Sequence, residues 1–204
     1  MREPLVSNVS DTARWVAILR AWETARPDAL FHDPFAERLG GEQGKRIAEK
    51  FKRVKSSANG WPIITRTKLI DDLVRRSIGD GCDCVLNLAA GFDTRPYRLS
   101  LPSDITWVEA DLPPLVEEKT RALAGEKPVC RLRVEKVDLA DPAARAALFD
   151  DVSRSAKQVL VITEGLVTYL EEEQVRALGR DLHARGNFRY WMLDVTSPAI
   201  LAML

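Results

Sequence analysis

Asn87-Leu88-Ala89-Ala90-Gly91-Phe92-Asp93-Thr94-Arg95-Pro96-Tyr97-Arg98-Leu99 follows the apolar run Cys84-Val85-Leu86 and leads into a segment able to turn into a helix. A strand that runs through small residues into a helix exposes backbone N–H groups at the turn, where a polar or charged cofactor tail can be held. Eighteen residues beyond Asp93 stands Asp111, closing the strand-like run Thr106-Trp107-Val108-Glu109-Ala110. An acid about twenty positions past such a turn suits the two hydroxyls of a ribose. The two features together announce a nucleoside-containing cofactor. The turn holds one glycine, so it fails the G-x-G-x-x-G fingerprint and speaks against a dinucleotide.

Outward from this turn, short apolar runs alternate with helical segments. Strands are expected at 83–89, 105–110, 129–137, 158–163 and 188–194, and helices at 94–100, 113–124, 141–150 and 171–184. That alternation implies βαβ units and a parallel sheet covered on both faces. Upstream, Ser10-Asp11-Thr12 reads as the cap of an amphipathic helix through Trp22, with Trp15, Ile18, Leu19 and Trp22 facing one core. Phe31-His32-Asp33-Pro34-Phe35 is expected to open another short helix. Gly40-Gly41 and Gly44 then predict a polar, mobile connection over 39–60, before a helical period resumes from Trp61 to Ile78 with Ile63, Ile64, Ile70, Leu73 and Val74 buried. The fold class is α/β, a doubly wound and mostly parallel Rossmann-like sheet with an N-terminal helical segment. Residues 1–80 form the helical part and 81–204 the cofactor-binding part of one structural unit.

Composition excludes several function classes. Thirty basic and thirty acidic side chains cancel, so no global field attracts nucleic acid or an anionic membrane. No apolar run approaches the roughly 20 residues of a spanning helix. Met1-Arg2-Glu3-Pro4-Leu5 lacks the apolar centre of a signal peptide, and a cytoplasmic location is expected. Cys82, Cys84 and Cys130 have no second pair at zinc spacing and read as free thiols. With two histidines in the chain, no metal site is expected.

Acids recur at the predicted strand ends. Asp93 could meet a cationic or amino group, Asp111 two hydroxyls, Asp138-Leu139 an exocyclic amine, and Glu164-Gly165 closes the run Val159-Leu160-Val161-Ile162-Thr163. Ligands of open parallel sheets bind outside those ends. Each acid alone has an ordinary reading as a helix cap or a solvated loop. Arg66, near Lys68, Asp71 and Asp72 on a helix, reads alone as one half of a surface ion pair of little worth. Tyr97 and Tyr169 could line a substrate cavity or belong to the core, and His32 and His183 are expected to be structural or exposed.

The segments Arg66-Thr67, Asp71-Asp72, Asn87 to Arg95, Val108-Glu109-Ala110-Asp111-Leu112-Pro113, Val137-Asp138-Leu139 and Thr163-Glu164-Gly165-Leu166-Val167-Thr168-Tyr169-Leu170 resemble the leucine carboxyl methyltransferase family over about residues 8–195. That family includes bacterial O-methyltransferases, some acting on polyketides. The resemblance implies a class I S-adenosyl-L-methionine fold and methyl transfer to a carboxylate or hydroxyl oxygen of a small molecule. Carried over, Asp111 would hold the ribose hydroxyls, and Asp138 and Leu139 the adenine. Gly91 with neighbours Ala89 and Asp93 would approach the methionine portion, Arg66 its carboxylate, and Glu164 its amino group. Ala89 replaces a glycine found in some relatives and fits where the local φ is negative.

A carboxylate acceptor is ionised at neutral pH and needs no base, so catalysis would rest on alignment and exclusion of water, with no catalytic side chain assigned. Two other readings stand beside this one: a cofactor-binding but inactive remnant, and a nicotinamide-dependent oxidoreductase. The family continues into a further helix and two strands, whereas here only ten residues follow Asp194, with Ile200 to Leu204 resembling the start of a helix. A sheet lacking those late strands would leave an edge at 188–194 through which copies could associate.

Overall fold

The computed structural model describes residues 9–54 and 60–195. Three helices come first: α1 (Val9–Thr24), α2 (Ala36–Val54) and α3 (Trp61–Gly79). The rest alternates as β1 (Cys84–Leu88), α4 (Arg95–Arg98), β2 (Thr106–Asp111), α5 (Pro113–Ala122), β3 (Arg131–Lys136), α6 (Pro142–Ser155), β4 (Val159–Thr163), α7 (Glu172–His183) and β5 (Phe188–Leu193), with a 3-10 turn at Val167–Tyr169. The five strands lie in the order β3-β2-β1-β4-β5, and every pairing is parallel.

The run Val159-Leu160-Val161-Ile162-Thr163 is buried throughout because both faces of the sheet are covered. Leu86, Leu88, Val108 and Val161 pack against Leu148, Phe149 and Val152 of α6 and against Leu178 and Leu182 of α7. Val85, Trp107, Leu160 and Ile162 turn to the other face and meet Ile70 and Val74 of α3. The period-two alternation of side chains along each strand thus supplies two separate cores. A third, smaller cluster joins Ala17 of α1, Leu39 of α2, Phe92 and Leu115 of α5. This cluster seats the helical segment over the carboxyl ends of the strands.

The helical segment departs from expectation in four places. Residues 39–54 are not a polar connection but lie within α2, which kinks at Gly41 (φ 56°, ψ −169°). A Cβ on Gly44 would stand 2.7 Å from the Arg14 carbonyl oxygen, and one on Gly40 2.5 Å from Ile18 Cδ1. These glycines allow α1 and α2 to approach closely, which a sequence reads as breakage. The helix α1 begins at Val9, so Ser10, Asp11 and Thr12 lie within its first turn. Phe31 to Phe35 form an irregular approach to α2 rather than a helix. Trp22 and Leu73 are exposed, and the Trp22 ring is covered by the Lys52 ammonium at 5.5 Å. Residues 55–59 and Ile200 to Leu204 lie outside the described residues. The expected strands and later helices agree with those found to within one or two residues at most boundaries; α6 extends further, to Ser155.

Candidate functional site

A cavity of about 210 Å³ opens at the carboxyl ends of β1, β2, β4 and β5, roofed by α1 and α3. Arg66, Ala89, Gly91, Asp93, Asp111 and Glu164 all line it. Four separate stretches of chain therefore converge, as expected for a site outside strand carboxyl ends. Asp138 and Leu139 are not in its wall. They sit in the turn after β3, where Asp138 is exposed and accepts from the Ala140 N–H (2.9 Å), while Leu139 packs on the sheet core. The cap of α6 is Asp141, whose side chain accepts from Ala143 and Ala144.

The turn after β1 uses its backbone differently from the expectation. The Ala89 and Ala90 N–H groups donate to the Ala110 carbonyl, and the Asp93 N–H donates to the Ala90 carbonyl. The Gly91 N–H donates to Asp111 Oδ2 at 2.6 Å, and the Leu112 N–H donates to Oδ1 at 2.7 Å. These N–H groups are used within the fold instead of facing a ligand, and α4 spans four residues, too short to present a helix terminus. Ala89 has φ +54°, the left-handed region, so the negative φ that an alanine prefers there is not met. A residue with a Cβ costs roughly 1–2 kcal/mol in that conformation.

An ionic seam joins the helical segment to the sheet at this site. Arg95, with a side chain 3% exposed, donates from Nε to Asp71 (2.7 Å) and from Nη1 to Asp93 and Glu164 (2.8 Å each). Arg98 grips the same Asp71 at 2.6 and 2.8 Å. Asp33, ahead of α2, accepts from Arg20 Nε (2.8 Å) and Thr94 Oγ1 (2.6 Å), while Arg20 also donates to the Phe92 carbonyl. Asn87 on β1 donates to Asp93 at 2.7 Å. Arg66 does not pair with its helix neighbours. It donates from Nε to Glu164 (2.9 Å) and from Nη1 to Asp194 (2.6 Å), whose other oxygen accepts from the Gly165 N–H.

These pairings set the ionisation of the seam. Burial alone would push the Asp93 carboxyl up, but the Arg95 guanidinium and the Lys119 ammonium outweigh it and hold the group well below the usual carboxylate range. Glu164 is likewise pushed up by burial and brought below its ordinary value by Arg95 and Arg66. Asp111 is raised, because burial outweighs its two backbone N–H donors.

Behind the turn lies a second cavity of about 20 Å³, walled by Gly91, Asp111, Tyr97, Glu109 and Lys119. Glu109 Oε2 accepts from Lys119 Nζ at 2.7 Å, and its Oε1 is buried without a hydrogen-bond partner. Burial pushes this carboxyl up to about 7, against the opposing pull of Lys119.

Arg95, Asn87, Asp33, Asp71, Asp194 and the Glu109–Lys119 pair are site residues that sequence reasoning left without a role. Arg95 belonged to the quoted turn and could have been singled out as a cation among strand-end acids. Asp33, Asp71 and Asp194 showed no partner in their neighbourhood, since their cationic partners stand 13 to 128 positions away. On the outer side of the cavity, Trp15 stacks on Phe51 at 4.8 Å, and the Tyr169 hydroxyl donates to Thr12 Oγ1 at 3.0 Å. Tyr169 lines the large cavity and Tyr97 the small one. All three cysteines are buried free thiols, and burial pushes Cys84 up to about 12. Among the described residues no group of acids, cysteines and histidines could hold a metal, and no helix is long and apolar enough to cross a membrane.

Residues 13–183 match the family model described as "Leucine carboxyl methyltransferase". A curated protein of Mycobacteroides abscessus, named provisionally as an S-adenosyl-L-methionine-dependent methyltransferase, is 36% identical over 195 residues, covering 87% of this chain and 62% of its own length. A similarly named protein of Streptomyces coelicolor is 35% identical over 182 residues, covering 84% of this chain and 63% of its own. The chain thus spans a little over three-fifths of these relatives. Among solved structures, a provisionally assigned methyltransferase from Thermobifida fusca aligns with a TM-score of 0.64 at 19% identity, over 94% of this chain and 70% of that one. A DUF574 family protein from Streptomyces avermitilis aligns with a TM-score of 0.54 at 18% identity, over 84% of this chain and 63% of that one. At such identities these two establish the fold alone.

Proposed function

Because the chain belongs to the leucine carboxyl methyltransferase family, we propose that it binds S-adenosyl-L-methionine in the large cavity and transfers the methyl group to an oxygen of a small molecule. The observation that carries this reading is Asp111. Each of its oxygens accepts one backbone N–H, from Gly91 and from Leu112, which fixes the carboxylate and leaves further lone pairs for two ribose hydroxyls. The remaining donors suit the rest of the molecule. Arg66 uses Nε and Nη1 on Glu164 and Asp194, so Nη2 can donate to a methionine carboxylate. Glu164, kept ionised by Arg95 and Arg66, would accept from the amino group. The backbone at Ala89 and Gly91, with Asp93 behind it, would lie along the methionine portion. The adenine would reach past the cavity wall to the turn after β3, where Asp138 and Leu139 would take it; β3 pairs with β2 up to the Asp111–Lys136 position.

The bound cofactor supplies an electrophilic methyl group on a positively charged sulfur. The chain's own part is to align the acceptor oxygen and exclude water. No lysine or histidine is among the described residues lining the cavity, and its four carboxylates are engaged by arginines or backbone N–H groups, so no general base is assigned and an acceptor oxygen of low pKa suits the site best. The helical segment would shape the acceptor side through Trp15, Ile63 and Tyr169.

Isothermal titration tests the cofactor assignment. S-adenosyl-L-methionine should bind the unaltered protein, NAD should not, and Asp111→Ala should abolish binding. Unchanged affinity in Asp111→Ala would refute the ribose assignment. A screen of carboxylate and phenolic acceptors with methyl-labelled cofactor then reads transfer by mass spectrometry and separates an active enzyme from a protein that only binds.

A further inference from the structure

β4 and β5 end level with one another. Thr163 stands opposite Leu193, so the next residues, Glu164 and Asp194, leave the sheet side by side, and both line the large cavity. Arg66, reaching over from α3, bonds both. Its Nε donates to Glu164 Oε1 at 2.9 Å and its Nη1 to Asp194 Oδ2 at 2.6 Å, so one planar guanidinium is gripped by carboxylates from two strands. Each carboxylate is itself anchored. Glu164 Oε2 accepts from Arg95 Nη1 at 2.8 Å, and Asp194 Oδ1 accepts from the Gly165 N–H at 2.6 Å. Gly165 has φ +75°, a left-handed conformation that glycine adopts without steric cost.

On the proposed function as premise, Arg66 meets the methionine carboxylate through Nη2, the nitrogen that neither Glu164 nor Asp194 engages. An arginine side chain has many rotamers, and a ligand that has to fix one of them loses affinity to that ordering. A guanidinium already held in place avoids the loss. Glu164 is shared with Arg95, whereas the only hydrogen bonds to Asp194 among the described residues come from Arg66 and Gly165. We propose that Asp194 is a positioning residue: anchored by the Gly165 N–H, it holds the Arg66 guanidinium ready for the carboxylate of the cofactor's methionine portion. A carboxylate fixed by a backbone donor acts as a support for Arg66, in contrast to a stand-in that the ligand would displace.

Titration calorimetry with two ligands tests this: S-adenosyl-L-methionine and its decarboxylated form, which keeps the sulfonium and amino groups. The unaltered protein should prefer the carboxylate-bearing ligand by roughly tenfold, the scale of a charge-assisted hydrogen bond. Asp194→Asn keeps an oxygen for the Gly165 N–H and removes the acceptor for Arg66. It should narrow the preference to about threefold or less, by weakening S-adenosyl-L-methionine and leaving the decarboxylated form within about twofold. A general loss of negative charge would act the other way, weakening most the decarboxylated ligand, which carries the greater positive charge. In Arg66→Ala, adding Asp194→Asn should leave the ratio of the two affinities where it was. The inference is overturned if Asp194→Asn leaves the preference intact, or narrows it as much without Arg66 as with it. Tighter binding of S-adenosyl-L-methionine to Asp194→Asn would also overturn it, since Asp194 would then compete with the ligand for Arg66. If the unaltered protein binds both ligands alike, the inference fails while cofactor binding stands; if neither binds, the proposed function itself fails. Should Asp194→Asn not fold, Asp194→Glu, which keeps the charge and displaces the carboxylate, is read against the same two ligands with the same expected narrowing.

Discussion

The turns after β1 and β3 each carry an acid just beyond a parallel strand, yet Asp93 lies among Asn87, Arg95 and Glu164 while Asp138 faces solvent and bonds its own turn. Part of the difference is local, since Arg95 stands two residues from Asp93 and pairs with it, whereas Lys136 near Asp138 goes to Glu117. The rest lies in what covers them. β1 is central, and α1, α3 and the approach to α2 close over its end, bringing Arg20, Asp33 and Asp71 to the seam. β3 is an edge strand whose residues are only partly covered, and Asp138 in the turn that follows it is exposed. An acid at a strand end becomes a structural ion where water is excluded and a cation is supplied, and remains a solvated turn residue elsewhere.

The sharpest way to break this comparison is Arg95→Ala. It would leave Asp71, Asp93 and Glu164 buried without their shared cation, a loss of about 3–5 kcal/mol in denaturant unfolding. A loss below about 1 kcal/mol would mean that the seam is no more important than a surface pair.

The pH dependence of stability sharpens the same contrast. Glu109 has its folded value raised to about 7, so its contribution is fully present below the ordinary glutamate range and is lost as pH rises through about 7. Stability should fall by an order of 1–3 kcal/mol between pH 5 and 8, and Glu109→Gln should flatten that slope in thermal melts. Asp93 and Glu164 act with the opposite sign. Their folded values are lowered, so their stabilisation is present above the unfolded carboxylate range and is lost as pH falls below it. A melting temperature that climbs steadily from pH 5 to 8 would contradict the assignment at Glu109.

Ala89→Gly relieves a left-handed alanine in the turn after β1 and should raise stability by about 1 kcal/mol, read as a shift of the denaturant midpoint at constant slope. A lower midpoint would show that the alanine Cβ contributes packing that outweighs the strain. The smallest effect belongs to the other turn. Asp138→Ala should change stability by no more than about 0.5 kcal/mol, because it removes one exposed hydrogen bond. Its cofactor affinity should nevertheless drop, by roughly tenfold or less, if Asp138 takes the adenine amine. Unchanged affinity would leave that turn outside the binding site.

Much of the sheet was legible because its signals are local. Val159-Leu160-Val161-Ile162-Thr163 is an unbroken apolar run, and in a parallel sheet with both faces covered that is what a central strand needs. Asp111 was legible because a strand and a fixed spacing place it beside the turn. The helical segment was less legible. Gly40 and Gly44 signalled a break where they permit a close helix crossing, since a sequence does not say whether a missing Cβ serves flexibility or contact. The backbone of the Asn87–Arg95 stretch likewise turned inward to Ala110 and Asp111.

The order of strands and helices along the chain, the place of Asp111 at a strand end and the family resemblance were determined by the sequence alone, because periodicity, turn residues and motif spacing act over a few neighbouring positions. Which acids are buried and which arginines neutralise them were decided only by tertiary structure. Ion pairing depends on distance and on the exclusion of water, and both are set by residues such as Asp33, Asp71 and Asp194 that are far apart in the chain and meet only when the helices close over the sheet.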